Sequence, residues 1–243
     1  MLAAAGQAAC QAEPVRYEYQ AAWIALASPE PISAEVERKS WARLITFRPE
    51  RGFALQAPLL ETGKRKPRLD AGAIVVAMRD LPEIACRLER PQFEYFVECV
   101  QDADQDGQYE GFFLLNHDKP FLFSALRQPR HQKVLPAGPV MLAEIPAQQL
   151  PTIDMVFLYP AGSALSTASG THRFQLCVLR TDDRNLWGDK THDRGCLPDI
   201  VVKDGQFPRQ LQIYGRTLTI AAPVDGKVPV SVTAHPEDVP AAL

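Results

Sequence analysis

Four carboxylates fall within nine positions in VQDADQDGQYEGFF, residues 100–113: Asp102, Asp104, Asp106 and Glu110. Like charges this close repel one another, so something must offset the crowding. A hard cation held by oxygen ligands does so. Alternate carboxylates in a tight loop can point at one centre, Gly107 permits the sharp bend, and Gln108 offers a backbone carbonyl. Ca²⁺ takes about six to eight oxygens and tolerates irregular geometry. The competing expectation is an acidic hairpin turn whose side chains face water.

A second concentration of polar groups lies in TDDRNLWGDKTHDRGC, residues 181–196. Asp182, Asp183 and Asp189 with His192 are the residue types of acid–base or metal-assisted hydrolysis. The same stretch also reads as a long polar loop stapled at its ends by Cys177 and Cys196, with Trp187 covering it. The remaining histidines, His117, His131, His172 and His235, form no H-E-x-x-H or other ligand spacing. There is no G-x-S-x-G, no G-x-G-x-x-G and no P-loop, so acyl-enzyme and nucleotide chemistry have no motif to rest on.

The pattern D-x-D-x-D-G-x-x-E over residues 102–110 resembles the D-x-D-x-D-G calcium loops of EF-hands, dockerin modules and the repeats of integrin-like propellers. It is closer to the strand-flanked form. Position twelve of an EF-hand loop would be Phe113, and the flanks FEYFVECV and GFFLLN read as strands. The resemblance implies that Asp102, Asp104, Asp106, Gln108 (through its carbonyl) and Glu110 ligate Ca²⁺.

The five cysteines are Cys10, Cys86, Cys99, Cys177 and Cys196. Four of them form two local pairs, and of the three possible connectivities the local one, Cys86–Cys99 and Cys177–Cys196, closes a short loop within each of two hairpins. No C-x-x-C is present, which argues against a zinc ribbon or a thioredoxin site. Disulfides persist in oxidising compartments. The opening MLAAAGQAACQA is uncharged, small and apolar, like the tail of a secretory signal over residues 1–12. Cys10 is a candidate for lipidation. The expected location is therefore the periplasm, the cell surface or the medium. The alternative is a cytoplasmic chain with reduced cysteines and a floppy terminus.

Net charge is −3, so the chain lacks the basic footprint of a nucleic-acid binder. The one basic run, GKRKPR at 63–68, is read as a solvated loop, with a phosphate or anionic-lipid contact as the alternative. No stretch has the roughly 18 apolar residues of a membrane helix.

These side chains must be positioned by short elements. The 21 prolines exceed the usual share of about 5 % and are excluded from helix interiors and central strands. Period-two runs recur every ten to fifteen residues: AGAIVVAM, FEYFVECV, GFFLLN, FLFSAL, IDMVFLY and HRFQLCVL. Leu211 and Ile213, Leu218 and Ile220, then Val228, Val230 and Val232 alternate likewise, with turns at Tyr214–Gly215 and Asp225–Gly226. One segment, SAEVERKSWARLI at 33–45, predicts a helix with Ser33 as its cap and Val36, Trp41, Leu44 and Ile45 on one face. The expected fold is mainly β: an antiparallel β-sandwich or two packed β-sheets with one short N-terminal helix. It would occupy residues 13–243, with an internal sub-boundary near 136–151. The expected role is noncatalytic calcium binding that serves recognition of a protein or surface partner, with the hydrolase as the alternative class.

Overall fold

A computed structural model of the chain describes residues 18–87, 96–116, 126–127, 133–160, 170–180 and 196–241. The first eight strands are β1 (Glu18–Tyr19), β2 (Trp23–Ala25), β3 (Ile32–Glu37), β4 (Trp41–Pro49), β5 (Gly52–Leu55), β6 (Ile74–Met78), β7 (Leu81–Arg87) and β8 (Phe96–Gln101). The next five are β9 (Gln108–Asn116), β10 (Leu126–Arg127), β11 (Leu135–Glu144), β12 (Ile153–Leu158) and β13 (Thr171–Arg180). The last five are β14 (Ile200–Lys203), β15 (Arg209–Ile213), β16 (Arg216–Ile220), β17 (Lys227–Val232) and β18 (Val239–Pro240). The fold is mainly β and its sheets are antiparallel, as the period-two runs predict.

The strand β9 pairs on one side with β8 and on the other with β11, which closes a barrel in the order β9-β11-β5-β6-β7-β8. Leu55, Val75, Ala85, Val100, Phe112 and Val140 form one buried cluster, joined by Leu59 and Leu69 from the β5–β6 connection. Their neighbours Val76, Cys86, Cys99 and Phe113 belong to a second cluster. Successive strand residues face opposite ways, so both faces of these strands are buried. That is why IVVAM and GFFLL read as unbroken apolar runs.

The short strands β10 and β1 extend the sheet of the barrel, β10 pairing with β9 and β1 with β10. A six-stranded sheet, β14-β13-β12-β4-β2-β18, and a four-stranded sheet, β15-β16-β17-β3, make up the rest. Phe47, Met155 and Phe157 of the first meet Val36, Leu218, Ile220 and Val230 of the second in the same cluster that covers the outer barrel face. Fully burying one such side chain is worth about 1.5–3 kcal/mol. The turns at Tyr214–Gly215 and Asp225–Gly226 form where expected, with φ of 47° and 74° and of 50° and 79°. Positive φ at both central residues matches the twist of the flanking strands.

The helix expected over 33–45 is not formed: the segment is all of β3 but its first residue, a turn and the start of β4. Ile32, Ala34 and Val36 face inward while Ser33, Glu35 and Glu37 are exposed, the alternation of a strand. Lys39 takes a positive φ of 68°, and the Ser40 amide donates to the Glu37 carbonyl at 3.0 Å. The helix-like spacing of Leu44 and Ile45 has a different cause. Met155 opposes Ile45 but Val156 opposes Arg43, so Leu44 is the extra residue of a β-bulge. A bulge brings two consecutive side chains to the buried side, and both leucine and isoleucine are buried there.

The stretch 136–151 carries most of β11, a wall of the barrel. The signal-like residues 1–12 with Cys10, the residues Phe93 and Tyr95, most of FLFSAL, and the 181–195 segment lie outside the described residues.

Candidate metal centre

The β8–β9 hairpin is set by its ladder. Register runs from Phe96 opposite Asn116 to Gln101 opposite Gly111, and the Asp102 amide donates to the Glu83 carbonyl of β7 at 2.9 Å. The loop 102–107 therefore starts from a position fixed by its neighbouring strand. Two left-handed residues turn it: Gln105 at φ 62° and Gly107 at φ 91°. A Cβ at Gly107 would meet nothing within 4 Å, so glycine is favoured there by backbone conformation and not by crowding.

Asp102, Asp104 and Asp106 each place one carboxylate oxygen within 4.8 Å of the others. Asp102 is buried, 5 % exposed, whereas Asp104 and Asp106 are open to solvent. Their crowding is offset in part by amides of the loop itself. Asp102 accepts from the Asp106 amide at 3.1 Å through Oδ1 and from the Gly107 amide at 2.8 Å through Oδ2. Asp104 accepts from the Asp106 amide at 3.3 Å. Asp106 accepts from the Gln108 amide at 2.7 Å and from its side-chain Nε2 at 3.1 Å. Glu110 reaches back from β9 to accept from the Ala103 amide at 3.0 Å. Its carboxylate stands outside the group of three.

Hydrogen bonds to a charged acceptor are each worth about 1.5–3 kcal/mol, and an ionised carboxylate has about four acceptor positions. One or two amides per carboxylate leave acceptor capacity on Asp104 and Asp106 that faces outward. The arrangement can hold a hard, oxygen-seeking cation with the amides in place. The field of the loop is acidic: burial first, and then the Asp102 charge, push the Tyr109 phenol above its usual range, with Arg51 opposing and Glu83 adding to the rise.

The two disulfides are formed between the expected partners. Cys86–Cys99 joins directly opposed residues of β7 and β8, and Cys177 faces Cys196 across the β13–β14 connection. Cys99 lies on β8, three residues before Asp102 of the loop. Of the histidines, His172 and His235 are described. His172 is buried, stacks on Phe174 and bonds Asp204 Oδ1 through Nε2 at 2.7 Å. The His235 ring pairs through Nδ1 with the Glu237 carbonyl. Neither joins the carboxylate group. Asp182, Asp183, Asp189 and His192 fall outside the described residues.

The basic run divides. Lys64, Arg65 and Lys66 are exposed, while Arg68 pairs with Glu61 and lies over the Phe112 ring at 5.4 Å. Sequence reasoning passed over Arg216, which is 1 % exposed. The signal for it was present: the alternation of RTLTI puts Arg216 on the face of Leu218 and Ile220. No protein-family model matches the chain, nor does any curated protein or solved structure.

Proposed function

We propose that the chain is an exported, noncatalytic calcium-binding protein that serves recognition or assembly, with Asp102, Asp104, Asp106, Gln108 and Glu110 as the ligand set. The observation that carries this is the convergence of three carboxylates in a loop already bent by its own amides. A preformed bend lowers the ordering cost of binding. Gln108 contributes its carbonyl, and Glu110 joins by exchanging its bond to the Ala103 amide for the ion. The ion and the Cys86–Cys99 bridge then rigidify one hairpin that a protein or surface partner reads. Two disulfides favour an oxidising compartment, and open loop sites of extracellular modules bind Ca²⁺ at about 10⁻⁴–10⁻³ M.

The test is isothermal titration of the full chain with Ca²⁺, beside the Asp104→Ala variant. The expected result is one site of about that affinity in the parent and none in the variant. Absence of heat, together with no rise in melting temperature in millimolar Ca²⁺, would remove the site. Equal binding by the variant would place the ion elsewhere.

A further inference from the structure

Arg216 opens β16 on its inward face, beside the core residues Leu218 and Ile220. Its Nη2 donates to the Leu26 carbonyl just beyond β2, while Nε and Nη1 are buried with no hydrogen-bond partner among the described residues. A buried guanidinium is costly unless a counter-charge is near.

That counter-charge is reached through one peptide group. The carbonyl of the Leu26–Ala27 peptide takes Arg216, and the amide of the same peptide donates to Asp238 Oδ1 at 2.8 Å. Asp238 Oδ2 accepts from Arg48 at 3.2 Å. In a trans peptide the C=O and N–H point opposite ways. The guanidinium therefore sits at the negative end of that dipole and the carboxylate at its positive end, and each strengthens the other's hydrogen bond. Burial lowers the affinity of Arg216 for its proton, and Asp238 acts in the opposite sense.

Asp238 belongs to residues 235–241, which cover the outer edge of β2. Val239 opposes Ala25 and Pro240 opposes Ile24. Ser28 and His235 exchange two amide bonds of 2.8 Å, and the Ala241 amide donates to the Trp23 carbonyl at 2.8 Å. Only two residues of the segment form strand, and Pro240 brings no amide donor.

We propose that the sequence of contacts from Arg216 through the Leu26–Ala27 peptide to Asp238 is a latch: the C-terminal segment is held on β2 because it carries the anion on which the buried Arg216 cation depends. The charge of Asp238, more than its hydrogen bond, closes the latch. Asp238→Asn retains an acceptor for the Ala27 amide and removes the charge, so it isolates the electrostatic part.

Amide hydrogen exchange on the full chain tests this. In Asp238→Asn, exchange at Ser28, His235 and Ala241 rises at least about tenfold, while β8 and β9 amides keep their protection. In an Arg216→Met background the same change raises it less than about threefold, since the exposed pair with Arg48 alone is worth little. Unchanged exchange in Asp238→Asn overturns the latch. So does an equal effect in both backgrounds, which would assign the contact to Arg48. Should Asp238→Asn fail to fold, the latch requires the Arg216→Met/Asp238→Asn protein to fold with exchange at these amides within about threefold of Arg216→Met alone, and a double variant that is unfolded, or that exchanges faster than that, overturns it.

Discussion

Both carboxylate oxygens of Asp102 are engaged by amides across the loop, Oδ1 by Asp106 at 3.1 Å and Oδ2 by Gly107 at 2.8 Å. Asp102 therefore holds the bend, whereas exposed Asp104 accepts one longer bond of 3.3 Å. The two roles separate by substitution. Asp102→Ala leaves the Gly107 amide without its acceptor and the Asp106 amide with only its longer bond to Asp104, and costs about 1–3 kcal/mol in urea denaturation in chelator. Asp104→Ala costs less than about 0.5 kcal/mol in chelator. Saturating Ca²⁺ at about ten to a hundred times the dissociation constant adds about 1.4–2.7 kcal/mol to the parent and nothing to Asp104→Ala. A silent Asp102→Ala in chelator would show that the bend does not depend on those bonds.

Cys86 and Cys99 are both wholly buried on the outer barrel face, whereas Cys196 is only partly buried. Of the five cysteines, Cys10 is the one outside these two bridges. Protein isolated without reductant should give zero or one titratable thiol per chain in denaturant, whereas unformed bridges would give four or five. Replacing Cys86 and Cys99 together by Ala removes a bridge spanning 13 positions and costs about 3 kcal/mol by chain entropy. Mild reductant should open Cys177–Cys196 first, which peptide mapping after thiol alkylation resolves. Equal labelling of both pairs would contradict the difference in burial.

Much of the fold was legible because period two is a local property. Val228, Val230 and Val232 announce β17 without any knowledge of its partners, and the Tyr214–Gly215 and Asp225–Gly226 turns announce themselves by residue type. Barrel closure was not legible. It depends on β9 pairing with both β8 and β11, and pairing choices leave no trace in a strand buried on both sides. The bulge at Leu44 misled the local pattern because one extra residue turns alternation into a spacing that a helix also produces. The carboxylate group was visible because its members lie at alternate positions within five residues of the chain. The amides that hold it were not, since every residue carries one and only geometry says where it points.

Gly111 marks the place where β9 is shared. It opposes Gln101 of β8 and Pro136 of β11, and a Cβ there would approach Val134 Cγ1 to 2.8 Å and the Gln101 carbonyl to 3.3 Å. Val134 is a partly exposed side chain that can swing aside, but the Gln101 backbone is fixed in the ladder. Gly111→Ala should therefore cost about 1–3 kcal/mol by overpacking, measured by thermal or urea denaturation. Gly226→Ala gives a control with no contact to lose, where only the φ of 79° resists and the penalty is about 1–2 kcal/mol. Adding Val134→Ala to Gly111→Ala should recover part of the loss, and no recovery would assign all of it to Gln101.

Tyr214 ties the β15–β16 turn to the six-stranded sheet by an edge-to-face contact with Phe47 at 4.9 Å. Burial pushes its phenol up to about 12 from the ordinary 10.0. The folded state thus keeps the proton after the unfolded chain has released it. Stability from this group is fully present below the unfolded value of about 10 and is lost as pH rises through about 12. Tyr109, shifted in the same direction, adds to the loss. Urea midpoints measured across that interval should fall, and Tyr214→Phe should flatten the fall because phenylalanine keeps the ring and has nothing to titrate. Tyr109→Phe alone should leave the larger part of the slope. If Tyr214→Phe and the parent lose stability in parallel, the alkaline transition belongs to other groups and the Tyr214 hydroxyl is better solvated than its packing against Phe47 implies.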